Sequence, residues 1–170
     1  MRRVSRLAIV LCEPLIHFNT GAAGRTSLGF EAELHLIKPL GFSIDESSVK
    51  RAGLDYWKNV DLHLHDSWDA FKKMQLPLFD HRVVFSKNAK YGTKNFMLHS
   101  FPPCEYTALI FGNEVRGMPE EFQEDCKDFE CVYLPMSESI RSYNLSNTVA
   151  IATFEFRRQE SLWRATTEGQ

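Results

Sequence analysis

The amino-acid sequence predicts one α/β domain built on a mostly parallel sheet flanked by helices, and three observations carry that expectation. Short apolar runs, Leu7–Cys12 and Thr107–Phe111 foremost, alternate with stretches of helical spacing such as Trp68–Met74, as βαβ units do. The 170 residues are 44% hydrophobic and 25% charged, the balance of one globular domain rather than a disordered chain. No repeat, low-complexity tract or clear linker divides residues 1–170, so they read as a single domain.

The elements follow in order. Leu7–Cys12 is the first strand; it mimics the apolar part of a signal peptide, but six residues stopped by Glu13-Pro14 are too few for export or membrane spanning. Asn19-Thr20 offers capping side chains for a helix running through Arg25. Glu33–Ile37 alternates into a second strand, ended by Pro39 and Gly41. Asp45–Ala52 reads as a polar helix, Val60–Leu64 as a third strand and Trp68–Met74 as a short amphipathic helix. Arg82–Phe85 and Thr107–Phe111 are further strands, and Pro119–Phe122 starts a helix with acids in its first turn, where the dipole favours them. Cys131–Leu134 is the last strand. The final helix runs from Ser146 to about Gln159, with Leu145, Val149, Ala152 and Phe156 on one buried face. Phe154 lies on a neighbouring line, so one domain has apolar helix surface to spare, which a homodimer would use.

Composition excludes several classes of function. A net charge of −2 lacks the basic footprint of a protein that clamps long nucleic acid alone, so any RNA contact is local or assembled from two chains. The four cysteines Cys12, Cys104, Cys126 and Cys131 form no Cys-x-x-Cys pair and read as reduced cytoplasmic thiols rather than metal ligands. His63 and His65 share one strand face but have no further ligands in view, and the expectation is no metal. There is no Gly-x-Gly-x-x-Gly, no phosphate loop of the Gly-x-x-x-x-Gly-Lys-Ser/Thr kind and no Gly-x-Ser-x-Gly elbow.

Three segments remain, each following a predicted strand, at the edge where ligands collect in open α/β sheets. They are Glu13–Arg25, Leu109–Gly117 and Leu134–Asn147. Taken singly they have plain readings: Gly112–Gly117 as a surface turn, Glu114 and Arg116 as a solvated ion pair, Arg25 as a solvent-facing side chain. Asn144, Ser146 and Asn147 would simply cap the last helix.

Taken together the three segments resemble the motifs of the SPOUT-class RNA 2′-O-methyltransferases, and most of all the small, single-domain members that methylate the wobble nucleotide of tRNA (the TrmL type). Asn19-Thr20-Gly21 with Arg25 is similar to motif one, Phe111-Gly112-Asn113-Glu114-Val115-Arg116-Gly117 to motif two, and Pro135-Met136, Arg141-Ser142 and Asn144-Leu145-Ser146-Asn147 to motif three. Lys50–Tyr56 resembles a further segment of the subfamily. The chain departs from the pattern at Asn113, where Pro is usual, at Ile140, where Ser is common, and at Ser27–Phe30.

The resemblance implies an α/β fold with a C-terminal trefoil knot, a homodimer, and S-adenosyl-L-methionine as cofactor, released as S-adenosyl-L-homocysteine. It places the cofactor in the loops Phe85–Lys87, Gly112–Gly117 and Leu134–Leu145, with Phe85, Leu134 and Ile140 as apolar walls, Gly112 allowing close backbone approach and Ser142 hydrogen-bonding the ligand. It makes Arg25, Asn19, Glu114 and Asn144 the catalytic set. A guanidinium stays protonated, so Arg25 is read as a clamp on a phosphate, not as a base. Asn19 and Asn144 would hold the ribose and the motif-one loop, and Glu114 would fix Arg25 or a backbone amide. The implied substrate is a tRNA, through its anticodon stem-loop, with no membrane. Lys87, Lys90 and Lys94, with Tyr91 and Phe96 between or beside them, could meet RNA or merely solvate a loop, and His17 lies near motif one. Another RNA site, or an RNA-binding protein without catalysis, are the competing expectations.

Overall fold

A computed structural model describes residues 4–44, 55–86 and 93–168. The strands are β1 (Arg6–Cys12), β2 (Glu33–Ile37), β3 (Leu62–His65), β4 (His81–Phe85), β5 (Lys94–Asn95), β6 (Tyr106–Phe111) and β7 (Glu130–Tyr133). The helices are α1 (His17–Gly29), α2 (Trp68–Met74), α3 (Glu120–Gln123) and α4 (Leu145–Glu168). The strands form one sheet in the order β3-β2-β1-β6-β4-β7-β5, and every pairing is parallel. The predicted architecture is therefore present, and fully rather than mostly parallel among the described residues.

The central strands β1 and β6 are covered on both faces, which is why they read as unbroken apolar runs instead of alternating ones. Leu7, Ile9 and Leu11 face one core with Leu109, Phe111, Val149, Ala152 and Phe156, beneath α1 and α4. Ala8, Val10 and Cys12 face the other with Trp68, Phe71, Phe79 and Phe122. The four cysteines are free thiols.

Several boundaries differ from expectation for tertiary reasons. Asn19 does not cap α1: the helix starts earlier, after Ile16, without a side-chain cap of its own, and continues to Gly29. α4 extends past Gln159 because its second half is fastened at both sides. Arg157 donates to the carbonyls of Phe30 (3.0 Å from Nη2) and Ser5 (2.9 Å), while Glu160 accepts from the Ser5 amide at 2.7 Å. Val60 closes a 3-10 turn (Trp57–Asn59) instead of opening β3. β5 was not foreseen, since two residues carry no periodicity. The helix expected at Asp45–Ala52 lies outside the described residues, as do Lys50–Leu54, Lys87, Lys90 and Tyr91.

His63 and His65 belong to a polar ladder rather than to an isolated pair. His35, wholly buried on β2, stands 3.0 Å from His65 (Nδ1 to Nε2) and 3.2 Å from Glu33. Glu33 also accepts from Tyr106 Oη at 2.5 Å and from Arg6 at 2.8 Å. Burial opposes ionisation of Glu33, but the hydrogen bonds from His35, Tyr106 and Arg6 prevail and hold its carboxyl at about 2. Burial first, then the adjacent His35 and His63, lowers His65 to about 4. Both groups bind protons less readily when folded, so the unfolded chain takes up more protons on acidification and stability rises with pH. Thermal denaturation should show a melting temperature that falls between about pH 6.5 and 4, as the advantage of neutral His65 and of His35, His81 and His99, which burial also shifts down, is lost, and falls again between about 4.5 and 2 with Glu33. His65→Gln should make the upper fall shallower and leave the lower one; an unchanged profile would contradict this assignment.

Candidate active site

The C-terminal ends of β4, β6 and β7 are neighbours in the sheet, so the loops that leave them share one edge with the start of α1. Between them lies a cleft of roughly 860 Å³, within the usual range of small-molecule sites. Phe85, Phe111, Val132 and Leu134 supply its apolar wall, and the 112–118 and 133–136 backbone its rim. Phe85 is held flat on Phe111 (4.7 Å between ring centroids, 16° apart) with Phe96 edge-on at 5.0 Å. Such a wall is set before any ligand arrives.

The 112–117 loop is closed on itself. Asn113 and Gly117 exchange backbone hydrogen bonds of 2.9 and 3.1 Å, and Asn113 Oδ1 accepts from the amides of Val115 and Arg116. This explains Asn113 where Pro is usual: its side chain ties the turn from within. Its Nδ2 is buried at the cleft and has no hydrogen-bond partner among the described residues. Gly117 takes a φ of +73°, open to glycine at little cost.

Gly112 is required by a contact within the protein itself. A Cβ there would stand 2.1 Å from Gly117 C and 2.2 Å from Met118 N, so the close approach is to the protein's own backbone. Gly112→Ala should pry the loop open and cost about 1–3 kcal/mol, as overpacking does. Chemical denaturation would measure it, and a wild-type midpoint would show the loop to be more pliant than this packing allows.

Glu114, Asn19 and Asn144 form one hydrogen-bonded chain across the floor of the cleft. The Glu114 carboxylate accepts from the amides of Leu15 (2.8 Å) and Ile16 (3.1 Å) and from Asn19 Nδ2 (3.1 Å). It therefore serves as the acidic partner that the amino end of α1 lacks in its own sequence. Asn19 Oδ1 accepts from Asn144 Nδ2 at 2.9 Å. Asn144 Oδ1 accepts from the amides of Ser146 and Asn147 at 2.9 and 3.4 Å, capping α4. Asn144 is thus both a cap and a link between the two helices. The three segments singled out in the sequence meet here.

Of the nine expected site residues, Asn19, Glu114, Asn144, Phe85, Gly112, Leu134 and Ser142 line this cleft. Two do not. Ile140 sits in the 136–143 turn, which Tyr143 Oη closes onto the Pro135 carbonyl, and is 44% exposed outside the lining. Arg25 lies further along α1, across the first turn of α4 from the cleft. It lines a separate shallow groove with Phe18, Tyr56, Ser146 and Asn147. Its guanidinium stacks 4.5 Å over the Tyr56 ring, whose hydroxyl donates to the Gly21 carbonyl at 2.8 Å. Glu114 therefore fixes backbone amides rather than Arg25. Tyr56, the last residue of the Lys50–Tyr56 segment, lines the Arg25 groove, and Met118, which motif reasoning missed, lines the cleft.

Comparison with known proteins identifies the family. The profile of the SpoU rRNA Methylase family matches residues 6–154. A tRNA (cytidine(34)-2′-O)-methyltransferase of Burkholderia ambifaria is 40% identical over 151 residues, covering 89% of this chain and 94% of the relative. A solved structure concerned with 2-OH methylation of C/U34 on tRNA superposes with a TM-score of 0.78 at 38% identity, over 92% of this chain and 97% of that one. Another, from Bacillus anthracis, reaches a TM-score of 0.81 at 37% identity over 91% and 94%. The match spans β1 to the middle of α4, with all three loops of the cleft inside it, and the chain belongs to the SpoU methylase family.

Proposed function

We propose that this protein transfers a methyl group from S-adenosylmethionine to the ribose 2′-hydroxyl of the wobble nucleotide, a cytidine or uridine derivative, in tRNA. The observation that carries the proposal is the Glu114–Asn19–Asn144 chain beneath a backbone-rimmed apolar cleft. The relatives named as tRNA (cytidine(34)-2′-O)-methyltransferases support the substrate.

The residues present fit the adenosyl cofactor. Phe85 and Leu134 offer an apolar slot for adenine and Ser142 a hydroxyl, in a cleft of suitable size. When bound, the cofactor supplies an electrophilic methyl on its sulfonium, and S-adenosylhomocysteine leaves. The protein aligns the ribose oxygen with that methyl and eases departure of the hydroxyl proton. Asn19 and Asn144 position the ribose, and Arg25 clamps a neighbouring phosphate with its planar fork. No metal has a part in this scheme.

The same reading includes a homodimer, supported by Phe18 (67% exposed) on α1 and Ile151 and Phe154 (58%) on α4, an apolar strip beside the Arg25 groove. It includes the anticodon stem-loop as the part of the tRNA that binds, a cytoplasmic setting, and a trefoil knot formed where the β4, β6 and β7 loops converge. No helix among the described residues is long and apolar enough to cross a membrane.

The test is incubation with methyl-labelled cofactor and total tRNA, followed by mapping of the modified ribose. Label at the wobble 2′-oxygen is expected. Label at another ribose would overturn the substrate, and a folded protein with no calorimetric response to S-adenosylmethionine would overturn the chemistry, leaving RNA binding without catalysis.

A further inference from the structure

At the edge of the sheet opposite the cleft, a buried and a half-buried imidazole converge on one exposed carboxylate. His81 opens β4, Glu130 opens β7, and His99 follows the 3-10 turn Phe96–Leu98. His99 Nδ1 stands 3.2 Å and His81 Nε2 3.5 Å from the same oxygen, Glu130 Oε2. One ligand atom from each residue lies within 4.8 Å of the other two. Both nitrogens of His81 and Nε2 of His99 are buried with no hydrogen-bond partner among the described residues. Buried polar atoms are almost always paired, and of these three His81 Nε2 is the one that faces the Glu130 oxygen, so it is the atom that lacks a partner there.

We infer that His81, His99 and Glu130 form a binding site for a zinc-like divalent cation. Zinc is held by imidazole nitrogen and carboxylate oxygen at about 2.0–2.1 Å in a tetrahedron, whose ligand atoms then stand about 3.3 Å apart. The separations of 3.2 and 3.5 Å match that edge. Two imidazoles and one carboxylate suit zinc by ligand type and leave the fourth corner to water. Aromatic rings wall the site: Phe101 stands edge-on to His99 at 4.5 Å and to His81 at 6.0 Å.

The other cluster of possible ligands, Glu33, His35 and His63, differs in the decisive respect. Glu33 there already accepts from Arg6, Tyr106 and His35, so a cation would have to displace formed bonds. At Glu130 it would supply a missing one. The ion would pin the 96–101 segment to β4 and β7. α4 already holds that segment, through Gln159, which donates to the His99 carbonyl and accepts from the Phe101 amide, each at 2.9 Å. This site lies away from the cleft and stands or falls independently of the methyl-transfer reading.

The experiment uses the full chain without a polyhistidine tag, stripped with chelator and titrated with Co²⁺ and then Zn²⁺. One cobalt per chain with the visible bands of a four-coordinate ion, displaced by zinc, is expected, together with a rise in melting temperature on adding zinc. Glu130→Gln, at a half-exposed position that should not disturb folding, and His99→Gln should each weaken binding by more than about 100-fold, since loss even of an outer-shell partner costs about 10–100-fold. His63→Gln should leave the bands unchanged. No four-coordinate band at stoichiometric cobalt would overturn the inference. So would a band that survives Glu130→Gln, or one that disappears in His63→Gln.

Discussion

Replacing Arg25 with lysine should leave S-adenosylmethionine binding intact while cutting methyl transfer to tRNA by at least about 100-fold, the scale of loss when a reacting group is misplaced by an ångström. The two halves of this result come from separate places in the fold. Arg25 shares no lining residue with the cleft, so its side chain can change without touching the cofactor walls. Its guanidinium rests over the Tyr56 ring, which is itself anchored to the Gly21 carbonyl. That stacking sets the plane of the fork, and lysine has neither the plane nor the paired donors that grip a phosphate. The positive charge would be kept and the geometry lost. Calorimetry with S-adenosylmethionine and single-turnover assays on purified tRNA separate the two effects. Full turnover by Arg25→Lys would show that charge alone suffices and would remove Arg25 as a clamp.

Glu114→Ala should lower both stability and activity, because one carboxylate organises two helices. Its loss leaves the Leu15 and Ile16 amides and Asn19 Nδ2 without their acceptor. The bonds are partly exposed, so water replaces some of them, and a cost of about 2 kcal/mol is expected rather than the sum of three buried bonds. In a chain of this size that is a fall in melting temperature of about 4–8 °C. Asn19 would then be free to turn, and Asn144 would lose the partner that sets its second hydrogen bond. Methyl transfer should therefore drop further than the folded fraction does. Glu114→Gln keeps the shape and one acceptor oxygen, which can still serve Ile16 and Asn19 while the N–H₂ meets the Leu15 amide, so it should lose less than the alanine variant. A glutamine variant with wild-type melting and turnover would show that the carboxylate charge is not what holds α1.

The order of elements and the class of fold were legible because burial leaves a mark on composition. β1 and β6 are covered on both faces and so appear as continuous apolar runs. α4 shows its buried face through Leu145, Val149, Ala152 and Phe156. The motif segments stood out as loops at strand ends, where a parallel sheet collects its ligands, and it was their joint resemblance to a known family that marked them as a site. Seven of the nine anticipated site residues share one cleft because three of those loops leave adjacent strands.

Partnership across the chain left no such mark. Asn19 looked like a local cap, yet the acceptor at the start of α1 is Glu114, far away in sequence, while Asn144 looked like one of several caps and proved to be the one that also reaches Asn19. Arg25 belonged to motif one by spacing, but six residues along α1 carry it to a different face of the helix from Asn19 and into a different groove. His81, His99 and Glu130 carried no spacing signal at all, because parallel register is what brings β4 and β7 together. Local propensity and hydrophobic period are written residue by residue and can be read from the string. Which side chains meet is decided by strand order and register, and those arise only when the whole sheet has formed.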